Sequence, residues 1–287
     1  MRIATLNDRV VLLAGHSDAA GSIENLRAVD IAAESDGRFG PDPMDVYRQW
    51  DAFLEWAARS PATEGDAFDP ADLGPPVPRP AQIFAIGLNY RDHAEEAGLD
   101  IPTELVVFTK FPSCLTGPVA DVRCVSDRVD YEVELVIVIG REAFEVDEAD
   151  GWDHVAGLTI GQDLSERRVQ FAVKPPQFSL GKSYPGFGPT GPAVVTPDDL
   201  DDPDRLAIGC AIDGETMQDG TTDDMIFPVA TLVSRLSQVV RLLPGDLIFT
   251  GTPAGVGSVR SPRRYLAPGE TITSHIEGLG HLTTRMT

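Results

Sequence analysis

Glu132 and Glu134 stand two residues apart in Asp130-Tyr-Glu-Val-Glu-Leu-Val-Ile-Val-Ile-Gly140, a run rich in β-branched residues that ends on glycine. Such a run reads as a strand near the core. Side chains alternate along a strand, so the two carboxylates share one face. Like charges side by side on an apolar strand are unfavourable unless a positive group lies between them. Either the acidic end of the strand reaches water, or the pair holds a hard divalent cation, which prefers carboxylate oxygens.

Four other segments offer chemistry. In Gly161-Gln-Asp-Leu-Ser-Glu-Arg-Arg-Val-Gln170, a helix starting at the junction with Ser165 as its cap puts Asp163, Arg167 and Gln170 on one face. Asp163 is then either a capping residue with a surface ion pair or the third carboxylate of an octahedral site completed by water and substrate. In Phe84–Gly98, His93 and Glu96 are three apart, so one helical turn brings together a base and its orienting partner, or simply makes a solvated turn. Lys182 is a lone lysine in a loop of Gly, Pro and aromatic residues, suited to holding an anionic oxygen. Gly181-Lys182-Ser183 is not a phosphate loop, because Pro176 stands where that motif needs glycine. Phe249-Thr-Gly-Thr-Pro-Ala-Gly-Val-Gly257 follows a strand; its glycines allow backbone to approach a ligand, and Thr252 adds a hydroxyl donor, although an ordinary tight loop reads the same way.

The elements that must position these residues are mostly short strands. After residue 80 they are expected at Gln82–Gly87, Leu105–Lys110, Tyr131–Gly140, Val155–Gln162, Leu206–Ile212, Asp246–Thr250, Glu270–Ile276 and Leu282–Met286, with Asp213-Gly214 as a tight turn. One helix follows Pro228, with Val229, Leu232, Val233, Leu236, Val239 and Val240 on one face. Before residue 80, Arg2 to Gly15 reads as a hairpin turning at Asn7-Asp8, and a helix starts at Asp42-Pro43. Six prolines between Ser60 and Pro80 read as a linker, which divides the chain into a small N-terminal unit, 1–74, and a larger unit, 75–287.

Composition narrows the field. The chain has 287 residues, 42% of them hydrophobic, and 45 acidic against 23 basic residues give a net charge of −22. Nucleic acid and anionic membrane both need a basic surface, so neither is expected as a partner. Three widely spaced cysteines, Cys114, Cys124 and Cys210, suit a reducing compartment and no thiolate zinc site. With no apolar run long enough for a signal peptide or a membrane span, a cytoplasmic protein is the expectation.

Taken in order, Gly-Leu-Asn-Tyr-Arg-Asp-His (87–93), Tyr-Glu-Val-Glu-Leu (131–135), Gly-Gln-Asp (161–163), Gly-Lys-Ser (181–183), Thr-Gly-Thr-Pro-Ala-Gly-Val-Gly (250–257) and Ile-Glu-Gly-Leu-Gly (276–280) resemble the fumarylacetoacetate hydrolase family, from about Pro75 to the C-terminus. The resemblance implies a β-rich α+β fold with mixed sheets and few helices, a small N-terminal α+β domain and a homodimer. It implies that Glu132, Glu134 and Asp163 bind Mg²⁺ or Mn²⁺, that His93 and Glu96 form the family's His–Glu pair, and that Lys182 is its active-site lysine. Arg167, Gln170 and Thr252 fall at its substrate-binding positions. Pro185 departs from the pattern, since many members carry an acidic residue there.

The expected activity is hydrolysis of a carbon–carbon bond in a β-diketo or acylpyruvate-type acid through a metal-stabilised enolate. Decarboxylation of an oxaloacetate-like acid and isomerisation of an unsaturated dicarboxylate use the same enolate and stand as alternatives. A catalytically silent ligand-binding protein is a further one, disfavoured because a binder has no need of a base such as His93.

Overall fold

The computed structural model describes residues 1–15, 17, 21–59 and 65–287. Its centre is an 11-stranded mixed sheet, and its main path runs Arg27–Asp30, Arg9–Ala14, Arg2–Leu6, Gly188–Val195, Val155–Gln162, Val133–Ile139, Leu247–Phe249, Ile83–Gly87, Val106–Thr109. Neighbours on this path are antiparallel except Leu247–Phe249 with Ile83–Gly87, which are parallel. A five-stranded sheet, in the order Glu215–Thr221, Ala207–Ile212, Thr271–Ile276, Gly280–Met286, Val119–Val122, packs against one face. Helices are few and short, the longest being Val229–Ser237. The fold is α+β and β-rich, as the sequence led us to expect.

Val133–Ile139 is buried along its whole length. Leu135, Ile137 and Ile139 join the core beneath the smaller sheet. Val136 and Val138 face the other way, into a core with Tyr47, Trp50 and Phe53 from the N-terminal helices. A strand covered on both sides needs apolar residues at every position, and this accounts for its unbroken hydrophobic run.

The N-terminal hairpin turns at Asn7 and Asp8, both in the left-handed region with φ of 49° and 61°, as a two-residue turn between twisted strands requires. The expected helix starts at Met44, with Pro43 and not Asp42 at the cap position, and is broken at Gln49 into Met44–Arg48 and Trp50–Ala57; the Asp42 carboxylate accepts from the backbone N–H of Met44 at 2.9 Å. The first strand does not stay within a unit of its own. Arg2 pairs with Val195 and Ile3 with Val194, so residues 1–14 extend the sheet that carries Asp163. Part of the expected linker is ordered too: Leu73 and Gly74 pair with Leu6 and Thr5. Residues 60–64 of that linker lie outside the described residues.

Of the strands in these two sheet orders, Arg27–Asp30, Val119–Val122, Gly188–Val195 and Glu215–Thr221 escaped the sequence reading, the last two for identifiable reasons. Gly188–Val195 carries two prolines and two glycines, yet pairs on both sides, with Arg2–Leu6 and Val155–Gln162. Glu215–Thr221 lacks a hydrophobic run because it is an edge strand held by Ala207–Ile212 alone. The segment after Asp163 also differs from expectation. Ser165–Glu166 is extended and pairs with Val129–Asp130, so the helix is only Arg167–Gln170. Its cap is the Glu166 carboxylate, which accepts from the Val169 N–H at 2.7 Å, whereas Ser165 donates its hydroxyl to the Asp163 carbonyl.

Candidate metal centre and active site

Antiparallel pairing of Val133 with Gln162 brings the start of one strand to the end of its neighbour. Glu132 and Glu134 thereby meet Asp163 at the ends of two interior strands, and the Asp163 N–H donates to the Glu132 carbonyl at 2.8 Å. One carboxylate oxygen from each of Glu132, Glu134 and Asp163 lies within 4.8 Å of the others, and all three residues are buried. Gly161 is paired with Glu134, and a Cβ there would come within 2.6 Å of Val136 and 2.5 Å of Phe249. Only glycine lets the strands close at that point.

Buried carboxylates need compensation, and the cluster is only partly compensated. Lys182 Nζ donates to Glu132 Oε2 at 2.6 Å and to Asp163 Oδ2 at 2.5 Å. Arg167 donates from Nη2 to Glu132 Oε1 at 2.6 Å, from Nε to Asp130 Oδ2 at 2.8 Å and from Nη1 to Gln170 Oε1 at 2.7 Å. Burial works against the charge of Glu132, but Lys182 and Arg167 outweigh it and hold its carboxyl down at about 2. Burial also opposes the charge of Lys182, yet Asp163 and Glu132 raise its ammonium above its ordinary value. Glu134 differs. It accepts from the Gly251 N–H at 2.8 Å, and burial, followed by Asp163, pushes its carboxyl well above the usual range. A divalent cation shared by the three carboxylates would supply the charge that Glu134 lacks, and an all-oxygen donor set suits Mg²⁺ or Mn²⁺.

Lys110 was not singled out in the sequence. It is 2% exposed and donates from Nζ to Asp163 Oδ1 at 2.6 Å, to the Lys182 carbonyl and to the Phe187 carbonyl at 3.1 Å. It follows an edge strand, Val106–Thr109, and a charged residue closing an apolar run was the available signal. Asp130 was also overlooked. Besides Arg167, it accepts from the backbone N–H groups of Gly257 and Ser258, both at 2.9 Å, and so ties the ligand strand to the glycine-rich loop.

Where the ladder stops, side chains continue it. The Glu132 N–H donates to Gln162 Oε1 at 2.5 Å, and the Val133 N–H to Gln218 Oε1 at 3.0 Å. Gln218 Nε2 in turn donates to Thr252 Oγ1, which gives its own proton to the Val133 carbonyl, both at 2.7 Å. The Thr252 hydroxyl, read as a donor toward a ligand, is thus spent on the backbone of the ligand strand. Thr252 still lines the cavity.

That cavity encloses about 320 Å³ above the carboxylates. Its walls include Val106, Phe108, Phe178 and Leu99, and Phe108 and Phe178 meet edge to face at 5.4 Å. Lys182 Nζ sits 5.0 Å from the Phe108 ring centroid. His93, on the helix Arg91–Ala97, also lines the cavity. Its Nδ1 is 3.7 Å from Glu96 Oε2 and has no hydrogen-bond partner. The two are neighbours but not hydrogen-bonded. The helix is instead fastened to the glycine-rich loop: Glu96 Oε2 accepts from the Gly255 N–H at 2.9 Å and Asp92 Oδ2 from the Ala254 N–H at 3.2 Å. Leu88, just before it, holds a left-handed φ of 57° beside the buried Asn89, whose amide bonds the carbonyls of Thr250 and Phe227. Such a backbone persists only where neighbours enforce it.

The sequence model for the fumarylacetoacetate (FAA) hydrolase C-terminal domain matches residues 82–287. The chain belongs to the fumarylacetoacetate hydrolase family. Among solved structures it is similar to a Mycobacterium smegmatis protein provisionally named HpcE, with a TM-score of 0.91 and 48% identity over 100% of this chain and 99% of that one. It is also similar to fumarylpyruvate hydrolase from Pseudomonas aeruginosa, solved with Mn²⁺ and pyruvate, with a TM-score of 0.66 and 30% identity over 72% of this chain and 90% of that one. Human mitochondrial oxaloacetate tautomerase FAHD2A is 36% identical over 93% of this chain and 84% of its own length. The family thus includes hydrolytic and tautomerising members on one scaffold. Among the described residues, no helix is long and apolar enough to cross a membrane.

Proposed function

We propose that this chain is a divalent-metal enzyme that processes a 2-oxo acid through its enolate, and that it hydrolyses a carbon–carbon bond in an acylpyruvate-type acid. The observation that carries this reading is the cluster of three buried carboxylates, two of which, Glu132 and Glu134, line one cavity, with Lys182 bonded to Glu132 and Asp163. Glu132, Glu134 and Asp163 would hold Mg²⁺ or Mn²⁺, which when bound supplies Lewis acidity to the 2-oxo acid oxygens. Lys182 is held protonated by its carboxylate partners, so it serves as a fixed positive charge and proton donor beside the enolate oxygen and not as a base. His93 lines the cavity, with its buried Nδ1 on the side of Glu96, and is the group assigned to take a proton from water. Water adds to the far carbonyl, the carbon–carbon bond breaks, and its electron pair leaves as the enolate, which takes a proton to give the 2-oxo acid product.

The walls favour an apolar stretch of substrate next to that end. Leu99, Val106, Phe108 and Phe178 exclude water, and the cations in the cavity, Arg167 and Lys182, are each bonded to two carboxylates already. A second reading, tautomerisation of oxaloacetate or a similar acid, draws support from the likeness to the human tautomerase over 93% of the chain. It needs the same enolate and no attacking water.

A turnover panel decides between them. Acylpyruvates and oxaloacetate are supplied with Mg²⁺ or Mn²⁺, with EDTA as control. Hydrolysis releases two acids from an acylpyruvate and stops with EDTA, and His93→Ala lowers it about 10²-fold or more. Exchange between keto and enol forms without cleavage supports the tautomerase reading, and CO₂ release indicates decarboxylation. Full turnover in the presence of EDTA, or in a folded Asp163→Ala variant, overturns the metal-enolate reading altogether.

A further inference from the structure

Next to the catalytic cavity lies a second one of about 490 Å³, lined by Arg128, Arg167, Arg168 and Arg263 together with Tyr265. The two cavities share Arg167, Phe171, Ser258 and Val259 as common wall. No carboxylate lines the second cavity among the described residues, although the chain as a whole carries a net charge of −22. Four arginines facing one hollow without an acid among them are therefore not a sample of the average surface.

The arginines are not equivalent. Arg167 is consumed by Asp130, Glu132 and Gln170. Arg168 is paired with Asp127 at 2.5 Å. Arg128 and Arg263 have no acidic partner among the described residues; the Arg128 guanidinium lies over the Tyr265 ring, 5.1 Å from its centroid. Stacking on a ring fixes the plane of a guanidinium and leaves its N–H edge free. A fixed fork with free donors matches a carboxylate in two-point fashion.

We propose that this second cavity is a distal subsite of the same active site, in which Arg128 and Arg263 receive the far carboxylate of a 2-oxo acid with an anionic tail. The inference rests on the 2-oxo acid reading above. A ligand anchored at Glu132, Glu134 and Asp163 runs along the apolar wall, passes Phe171 and Val259, and leaves the catalytic cavity where these arginines begin. The catalytic cavity offers no uncommitted cation for a second anion, whereas the neighbouring one offers two. The apolar middle and the charged end of such a substrate are thus met by different cavities.

The test uses two inert acids of equal length, 2-oxoheptanoate and 2-oxoheptanedioate, whose binding to the full chain with Mg²⁺ is measured by calorimetry. Wild type is expected to bind the dicarboxylate about tenfold more tightly than the monocarboxylate, the value of one charge-assisted contact. Arg263→Gln and Arg128→Gln should each remove most of that preference and leave 2-oxoheptanoate affinity unchanged, which also shows that they fold. Equal affinity for both acids in wild type, or a preference untouched by either variant, refutes the subsite and leaves the 2-oxo acid reading standing. Binding of neither acid refutes both. Inorganic phosphate competing with neither acid, yet bound in a manner dependent on Arg263, would make the hollow an independent anion site and overturn its assignment to the substrate tail.

Discussion

Replacing Lys110 with Met would leave Asp163 with one cation where it now has two, and would leave the carbonyls of Lys182 and Phe187 without their donor. Breaking a buried pair from one side costs about 3–5 kcal/mol, so the variant should show a much lower urea midpoint than wild type. An unchanged midpoint would mean that Lys110 is not structural. Glu132 and Glu134 should respond to pH in opposite senses. With its carboxyl held at about 2 in the fold against an ordinary 4.5, Glu132 contributes stability that is complete above the ordinary value and lost as pH falls toward 2. Glu134, raised by burial, costs the metal-free fold stability once pH exceeds its ordinary value, and the cost grows as pH rises toward its folded value. Metal-free Glu134→Gln should therefore melt above metal-free wild type at about pH 7.5 and match it near about pH 4, while Mg²⁺ stabilises wild type alone. Equal stabilisation of both by Mg²⁺ would remove Glu134 from the ligand set. Much of this site was legible from residue types: the spacing of Glu132 and Glu134 and the position of Asp163 were enough to nominate them. Lys110 and Asp130 were not, because a charge whose partners lie far along the chain leaves no local period to read.

At the scale of elements, the ligand strand is held where its ladder ends by glutamine side chains standing in for backbone. Gln218 accepts from the Val133 N–H and donates to Thr252 and to the Pro253 carbonyl. Gln218→Leu keeps the volume but leaves that N–H buried without a partner, at a cost of about 1–3 kcal/mol. Metal affinity should fall with it, because Glu132 and Glu134 flank Val133; loss of stability with metal affinity intact, measured by calorimetry, would confine Gln218 to a packing role. The strands that periodicity found are those with one dominant environment, such as Val155–Gln162, which appears with the expected bounds. Gly188–Val195 did not declare itself, because its pairing rests on two neighbours distant in sequence and not on its own prolines and glycines. The early helix expected at Asp163 failed for a similar reason: an extended bridge to Val129–Asp130 claims Ser165 and Glu166 first.

For the whole molecule, the N-terminal segment is part of the same sheet and the same core. Deleting residues 1–74 would strip cover from Val136, Val138 and Phe249, which pack with Tyr47, Trp50 and Phe53, and would unpair one side of Gly188–Val195. The chain starting at Pro75 should lose cooperative thermal unfolding and bind apolar dyes; a sharp transition near that of the full chain would show that 75–287 folds alone. The proline-rich composition of 60–80 suggested a boundary, and composition cannot show that the chain returns to pair Leu73 and Gly74 with the first strand.

The site's parts are divided by what holds them. Glu132, Glu134, Asp163 and Gly251 lie at strand ends fixed by two ladders that share Val133–Ile139, so their geometry is set by the sheet. Leu99, Phe171, Val259 and Arg263 belong to segments between the strands, and no ladder depends on them. Substitutions there can lengthen, shorten or recharge the substrate's tail without disturbing the floor. Reaction chemistry and substrate choice can therefore drift at separate rates within one lineage.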